Sequence, residues 1–152
     1  MRLTDYTDYT LRVLMFCALH TERSVTIAEL ADSHKVSKNH LMKIVNDLAR
    51  QGLIQTTRGR GGGLRLLKNP ADITIGDVVR HTETDFRLVE CFDISHNACT
   101  LTAQCLLKKV FKDALTSYLA ELDKVTLADV TRPQAGGHTA SLPPVIPLTK
   151  RR

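Results

Sequence analysis

Between Thr26 and Leu67 the chain carries two helix starts, one clean amphipathic helix and a basic glycine-rich hairpin in direct succession, an order that few folds accept. Thr26-Ile-Ala-Glu29 reads as a capping box, in which the threonine side chain takes a backbone N–H and the glutamate accepts the threonine's own N–H. It predicts a helix that ends near His34. After a turn at Lys35-Val36, Ser37 is placed to cap a third helix that reaches Gln51, where Gly52 supplies the stop. Within it Leu41, Ile44, Val45 and Leu48 recur at i, i+3, i+4 and i+7 and must face inward. Asn39, Lys43, Asn46 and Arg50 fall on the opposite stripe, with His40 and Asp47 on its flanks. Amides and cations on an outward face can hydrogen-bond base edges and phosphates in a major groove, although the same residues also serve as a plain solvated surface.

Two short strand-like runs follow, Leu53–Thr57 and Leu64–Leu67, joined by Arg58-Gly59-Arg60-Gly61-Gly62-Gly63. Glycines let a hairpin tip turn sharply, and the two arginines charge it. A phosphate-cradling loop is the competing interpretation of the glycine run. It fails, because no Gly-Lys-Ser/Thr follows and a strand rather than a helix comes next. Helix, turn, helix and basic hairpin is the layout of a winged helix. Charge supports the same conclusion. From Lys35 to Lys68 the cations Lys35, Lys38, Lys43, Arg50, Arg58, Arg60, Arg65 and Lys68 meet a single acid, Asp47. Residues 81–130 reverse the balance, with 5 Lys/Arg against 8 Asp/Glu. A basic patch confined to one region is a phosphate-binding footprint.

Upstream, Thr4 is the expected N-cap of a first helix from about Asp5 to His20, with Leu11, Leu14, Ala18 and Leu19 as its apolar stripe. Cys17 in that stretch reads as a small buried hydrophobe. Downstream, a short helix is expected after Thr74, covering Ile75 to Arg80. A long one is expected from about Thr102 to Lys124, with Leu107, Phe111, Leu115, Tyr118, Leu122 and Val125 spaced by threes and fours. So small a domain has little left to cover that stripe, and a second copy of the chain is the natural cover. From Thr131 the composition turns to Pro, Gly, Ser and Thr and closes on Lys150-Arg151-Arg152, the signature of a disordered tail. No apolar run is long enough to span a bilayer, and Asp5 and Asp8 interrupt any signal-peptide pattern, so a cytoplasmic location is expected.

Three of the four cysteines, Cys91, Cys99 and Cys105, are spaced C-x7-C-x5-C, with Cys91 in the loop before the long helix and Cys99 and Cys105 flanking its start. In a reducing compartment such a cluster is a metal or redox site rather than a disulfide framework. The spacing is too wide for the paired-cysteine knuckles of structural zinc. It leaves open an iron-sulfur cluster, zinc with His96 as a fourth ligand, thiol redox chemistry, or no site at all. Glu90 and Asp93 are oxygen donors nearby. No nucleophile elbow, phosphate loop or HExxH motif is present and the histidines are scattered, which argues against an enzyme.

Met1-Arg2-Leu3-Thr4, Tyr6-Thr-Asp-Tyr9, Val36-Ser-Lys-Asn-His-Leu-Met-Lys43, Arg58-Gly-Arg-Gly-Gly-Gly63, Ile75-Gly-Asp-Val-Val79 and Thr126-Leu-Ala-Asp129 resemble the Rrf-type winged-helix regulators of bacteria, and among them the nitric-oxide-sensitive repressors. The likeness covers residues 1 to about 130. It implies an iron-sulfur cluster, 4Fe-4S or 2Fe-2S, on Cys91, Cys99 and Cys105, with Asp8 of the partner subunit as a fourth, oxygen ligand. A related branch uses a histidine three residues after the last cysteine, and Lys108 stands there instead. The expected organisation is mainly α with a small β-hairpin wing. It has a winged helix-turn-helix DNA-binding region in residues 1–80, a cluster-binding loop in 81–101, a dimerisation helix with a short C-terminal helix in 102–130, and the tail in 131–152. The function the resemblance implies is a homodimeric repressor that leaves its double-stranded DNA operator when nitric oxide attacks the cluster. A regulator that reads iron-sulfur status, redox state or zinc through the same cysteines is the alternative. Ser37, Lys38, Asn39, His40 and Lys43 are expected in the major groove, and Arg58 and Arg60 at phosphates or the minor groove.

Overall fold

The structure is a computed structural model that describes residues 2–93, 95–101 and 104–132. Its helices are α1 (Asp5–Leu19), α2 (Ile27–His34), α3 (Lys38–Arg50), α4 (Ile75–Thr82), α5 (Leu106–Asp123) and α6 (Leu127–Thr131). Among the described residues a single antiparallel hairpin, β1 (Ile54–Thr57) and β2 (Gly63–Leu66), stands between α3 and α4. Among the described residues no helix is long and apolar enough to cross a membrane.

Local chemistry sets the helix starts. Thr4, Thr26, Ser37 and Thr74 each sit in extended backbone and accept a hydrogen bond from the N–H three residues on. The Thr26–Glu29 capping box is closed in both directions, with Thr26 N donating to Glu29 Oε2 at 2.7 Å and Glu29 N to Thr26 Oγ1 at 3.2 Å. The turn between α2 and α3 rests on Lys35, whose φ of 56° is the one left-handed non-glycine backbone among the described residues. Leu41, Ile44, Val45 and Leu48 face inward as their spacing requires.

One core joins these elements. It takes Val13, Leu14 and Cys17 from α1, Leu30 and Ala31 from α2, the α3 face, Ile54 and Leu64 from the hairpin, Val78 from α4 and Leu127 from α6. Leu127 therefore pins the chain beyond α5 back onto the helix-turn-helix. Burial pushes the Cys17 thiol up to about 11, so it stays protonated and acts as an apolar filler.

The α1 stripe differs from the sequence expectation. Leu19 is 58% exposed, whereas Thr7 and Thr10 are buried beside Val13, Leu14 and Cys17. Their hydroxyls are satisfied, which removes the usual penalty. Thr10 Oγ1 donates to the Tyr6 carbonyl at 2.7 Å. Thr7 Oγ1 donates to Thr82 Oγ1 at 2.8 Å, and Thr82 donates on to the Val78 carbonyl at 2.8 Å. Thr82→Val removes this link between α1 and α4 at constant size and should lower stability by about 1–2 kcal/mol. A urea unfolding midpoint equal to that of the wild type would show that the link contributes nothing.

The hairpin pairs Ile54 with Leu66 and Thr57 with Gly63, and Val25 bridges Leu64 from the other side. Two glycines are sterically required here. A Cβ on Gly62 would lie 2.2 Å from the Thr57 carbonyl oxygen, and one on Gly63 would lie 2.6 Å from that of Val25.

The long helix begins at Leu106, not Thr102, so Cys105 is its N-cap rather than a first-turn residue. Thr102 and Ala103 lie outside the described residues. None of the described residues of α5 is buried, and Leu106, Leu107 and Val110 are 79%, 58% and 58% exposed. α5 packs on α4 near its C-terminal end, where Arg80 Nη1 and Nη2 each reach an Asp123 carboxylate oxygen at 2.6 Å. Helix α6 takes in Thr131, the first residue of the expected tail, and residues 133–152 lie outside the described residues.

Candidate nucleic-acid interface and cysteine loop

Ser37 holds the N-terminus of α3, its Oγ accepting from His40 N at 3.3 Å, and the helix then presents one outward face. Lys38, Asn39, Lys43, Asn46 and Arg50 are exposed on it. His40 is half-buried, its ring edge-on to Tyr9 with centroids 5.2 Å apart. That packing fixes the imidazole at the rim of the face. Met42, which the pattern of amides and cations does not mark, is 46% exposed on the same face. The helical period that sends Asn39 and Asn46 outward also sends Met42 there, and a thioether is an apolar contact for a thymine methyl.

Arg58 and Arg60 stand exposed on the hairpin tip behind α3. Lys35, Lys38, Lys43, Arg58, Arg60, Arg65 and Lys68 form no ion pair among the described residues, and Arg50 alone of the eight basic residues in this stretch is paired, to Asp47. Elsewhere Arg2, Arg12, Arg23, Arg80 and Arg87 are each matched by a carboxylate. Among the described residues the uncommitted cations therefore fall mostly on α3, the turn before it and the hairpin, with Lys108 and Lys112 on α5 besides, and the first group leaves a positive field for a polyanion.

The second candidate region opens where α4 ends. Glu83 Oε1 accepts from Thr4 N at 2.7 Å and Thr4 Oγ1 at 3.1 Å, tying the start of the loop to the start of α1. Cys91 lies half-buried in a 3-10 turn, Glu90–Phe92, Cys99 is exposed, and Cys105 is half-buried at the α5 N-cap. Cys91 and Cys105 carry free thiols. Among the described residues no three His, Cys, Asp or Glu are gathered as a metal ion would require. The loop is ordered instead by Asp93, which accepts from Ser95 Oγ at 2.5 Å, Ser95 N and His96 Nδ1 at 3.0 Å, and Arg87. The Ser95 and His96 hydrogen bonds, with the Arg87 charge, hold the Asp93 carboxyl down to about 2. Glu90 Oε1 accepts from Ala98 N at 2.7 Å. The oxygen donors within the loop are thus committed to the loop.

Asp8 lies on α1 and is paired with Arg12 at 2.7 Å, both side chains nearly half exposed. An exposed pair of this kind holds weakly and exchanges easily. Cys105 makes no side-chain cap hydrogen bond at the start of α5. The donor chemistry fits a thiolate-held cluster.

A family model described as "Rrf2: Iron-dependent Transcriptional regulator" matches residues 3–133. The HTH-type transcriptional regulator NsrR of Bacillus subtilis is 50% identical over 133 residues, 87% of this chain and 91% of that one. Its namesake from Bacillus licheniformis is 52% identical over 131 residues, 86% and 92% of the two chains. Among solved structures, T. potens IscR superposes with a TM-score of 0.70 at 25% identity, covering 90% of this chain and 94% of its own. CymR, the global cysteine regulator of B. subtilis, gives 0.66 at 25% identity, covering 86% and 96%.

Proposed function

Since the chain belongs to the Rrf2 family of iron-dependent transcriptional regulators, we propose that this DNA-binding regulator is a cytoplasmic, homodimeric repressor. In this reading it senses nitric oxide through an iron-sulfur cluster on Cys91, Cys99 and Cys105. Its family and relatives are transcriptional regulators, not enzymes. The concentration of unpaired cations on α3 and the wing is the observation that carries the DNA half. Ser37, Lys38, Asn39, His40 and Lys43 enter the major groove, and Arg58 and Arg60 take phosphates or the minor groove.

The sensing half rests on three closely spaced cysteines, of which Cys105 is the N-cap of α5 and makes no side-chain cap hydrogen bond. Asp8 of the partner subunit is the oxygen ligand in this reading, which the weakness of the Asp8–Arg12 pair supports. Cys91, Cys99 and Cys105 would hold the cluster, which would supply iron–sulfur bonds open to attack by nitric oxide. Without the cluster the loop would keep its Asp93 and Glu90 hydrogen bonds, and Asp8 would pair with Arg12 on its own helix. One tie between subunits is then lost. The two α3 helices, which must match half-sites about one helical turn apart, lose their fixed spacing. Operator affinity and cluster integrity are linked because they favour the same dimer arrangement.

The test is an anaerobic absorption spectrum with iron and sulfide analysis, followed by nitric oxide titration against DNA affinity. The expected protein is coloured, its iron count separates 2Fe-2S from 4Fe-4S, and its absorption bleaches in step with release of DNA. A colourless protein holding zinc or free thiols keeps DNA binding and discards the nitric oxide mechanism in favour of redox or zinc sensing. An Asp8→Ala variant with unchanged cluster, response and DNA affinity removes the inter-subunit ligand.

A further inference from the structure

Asp47 is the one acid between Lys35 and Lys68, and it stands beside the outward face of α3. A carboxylate there opposes a polyanion, so its neighbours matter. The Tyr6 hydroxyl on α1 donates to Asp47 Oδ2 at 2.5 Å, and Arg50 Nη2 donates to Asp47 Oδ1. Both carboxylate oxygens are used inside the protein. Burial and the adjoining carboxylate push the Tyr6 hydroxyl up to about 12, so it remains a donor at any physiological pH. The Arg50 side chain is 79% exposed at the C-terminal end of the helix. It spends one terminal nitrogen on Asp47 and leaves its other donors outward.

We propose that Tyr6 and Asp47 are positioning residues that hold the Arg50 guanidinium as a clamp for a DNA phosphate at the far end of the recognition helix. The inference rests on α3 being the DNA-facing helix. An unrestrained arginine loses much rotamer freedom when it docks on a phosphate, and a bracket formed before DNA arrives removes most of that loss. An ordinary exposed i, i+3 ion pair could not do this, because it holds neither partner firmly. Here the carboxylate is also anchored from another helix, 41 residues away in sequence.

The sign of one substitution separates this role from simple electrostatics. Asp47→Asn removes a negative charge from the DNA side and frees Arg50, so charge alone predicts tighter binding. The bracket predicts weaker binding, by about tenfold. The probe is a duplex of about 30 base pairs, roughly three helical turns, selected from a randomised pool by the wild-type chain and titrated by fluorescence anisotropy at several salt concentrations. Tyr6→Phe keeps the ring and removes the hydroxyl. It should weaken binding in the same direction, and the double variant should bind no worse than the weaker single one. Arg50→Ala should weaken binding alike on every sequence and flatten the salt dependence. If Asp47→Asn melts too low to assay, Tyr6→Phe carries the test. Either variant binding as tightly as the wild type, or more tightly, overturns the proposal. An Arg50→Ala loss confined to one base pair also overturns it, by making Arg50 a base reader. A wild-type chain that selects no duplex takes away the DNA-facing role of α3 itself.

Discussion

Replacing Arg58 and Arg60 together by alanine weakens binding to duplex DNA on the order of a hundredfold near physiological salt and visibly flattens its salt dependence. Both side chains are exposed and form no ion pair among the described residues, so nothing in the fold is lost with them. The cost falls on the complex. Each phosphate contact releases condensed counterions, and the slope of log affinity against log salt shrinks by about 0.9 for each contact removed. A dimer places two wings on the duplex. The slope should therefore fall by about four contacts' worth, against about two for a monomer. Circular dichroism and the melting temperature should match those of the wild type, because exposed substitutions without partners stay within about 0.5 kcal/mol. An unchanged salt slope with weakened binding would mean that the wing reads bases rather than phosphates. Unchanged affinity would remove the wing from the interface.

The wing and α3 were legible in the sequence because their determinants are local. Thr26-x-x-Glu29 and Ser37 state where two helices begin, and Leu41, Ile44, Val45 and Leu48 state which face turns inward. The α1 face was misread for a physical reason. Two of its buried positions are threonines, and a pattern that counts them as polar turns the helix toward Leu19. What makes them burial-competent is partly a hydrogen bond to Thr82, far along the chain. The Tyr6–Asp47 contact was illegible on the same grounds. Asp47 looks like a solvated flank until α1 is folded across it. The cysteine spacing announced a donor set, but spacing says nothing about which thiols meet. Among the described residues no three candidate donors are gathered, and a linear spacing could not have shown that.

The second copy is the other large expectation. Leu107→Asp combined with Phe111→Asp should leave a folded chain that sediments as a monomer and has lost most of its operator affinity. Neither side chain belongs to the core shared by the helix-turn-helix and α6, so the fold survives the change. In one chain α5 carries eighteen residues without a buried position, and its N-terminal half exposes Leu106, Leu107 and Val110. A contiguous apolar face of this kind is the mark of an association surface. Burying a leucine or phenylalanine is worth about 1.5–3 kcal/mol, and in a two-fold pair every substitution counts twice. Four lost burials with four carboxylates in their place amount to more than about 6 kcal/mol, a dissociation constant at least ten-thousandfold weaker. DNA affinity follows, because each half-site is then bound without help from the other. If the variant sediments as the wild type does, α5 is not the interface. If the wild type is itself monomeric, Asp8 cannot reach a partner's cysteines, and the proposed inter-subunit ligand falls with the dimer.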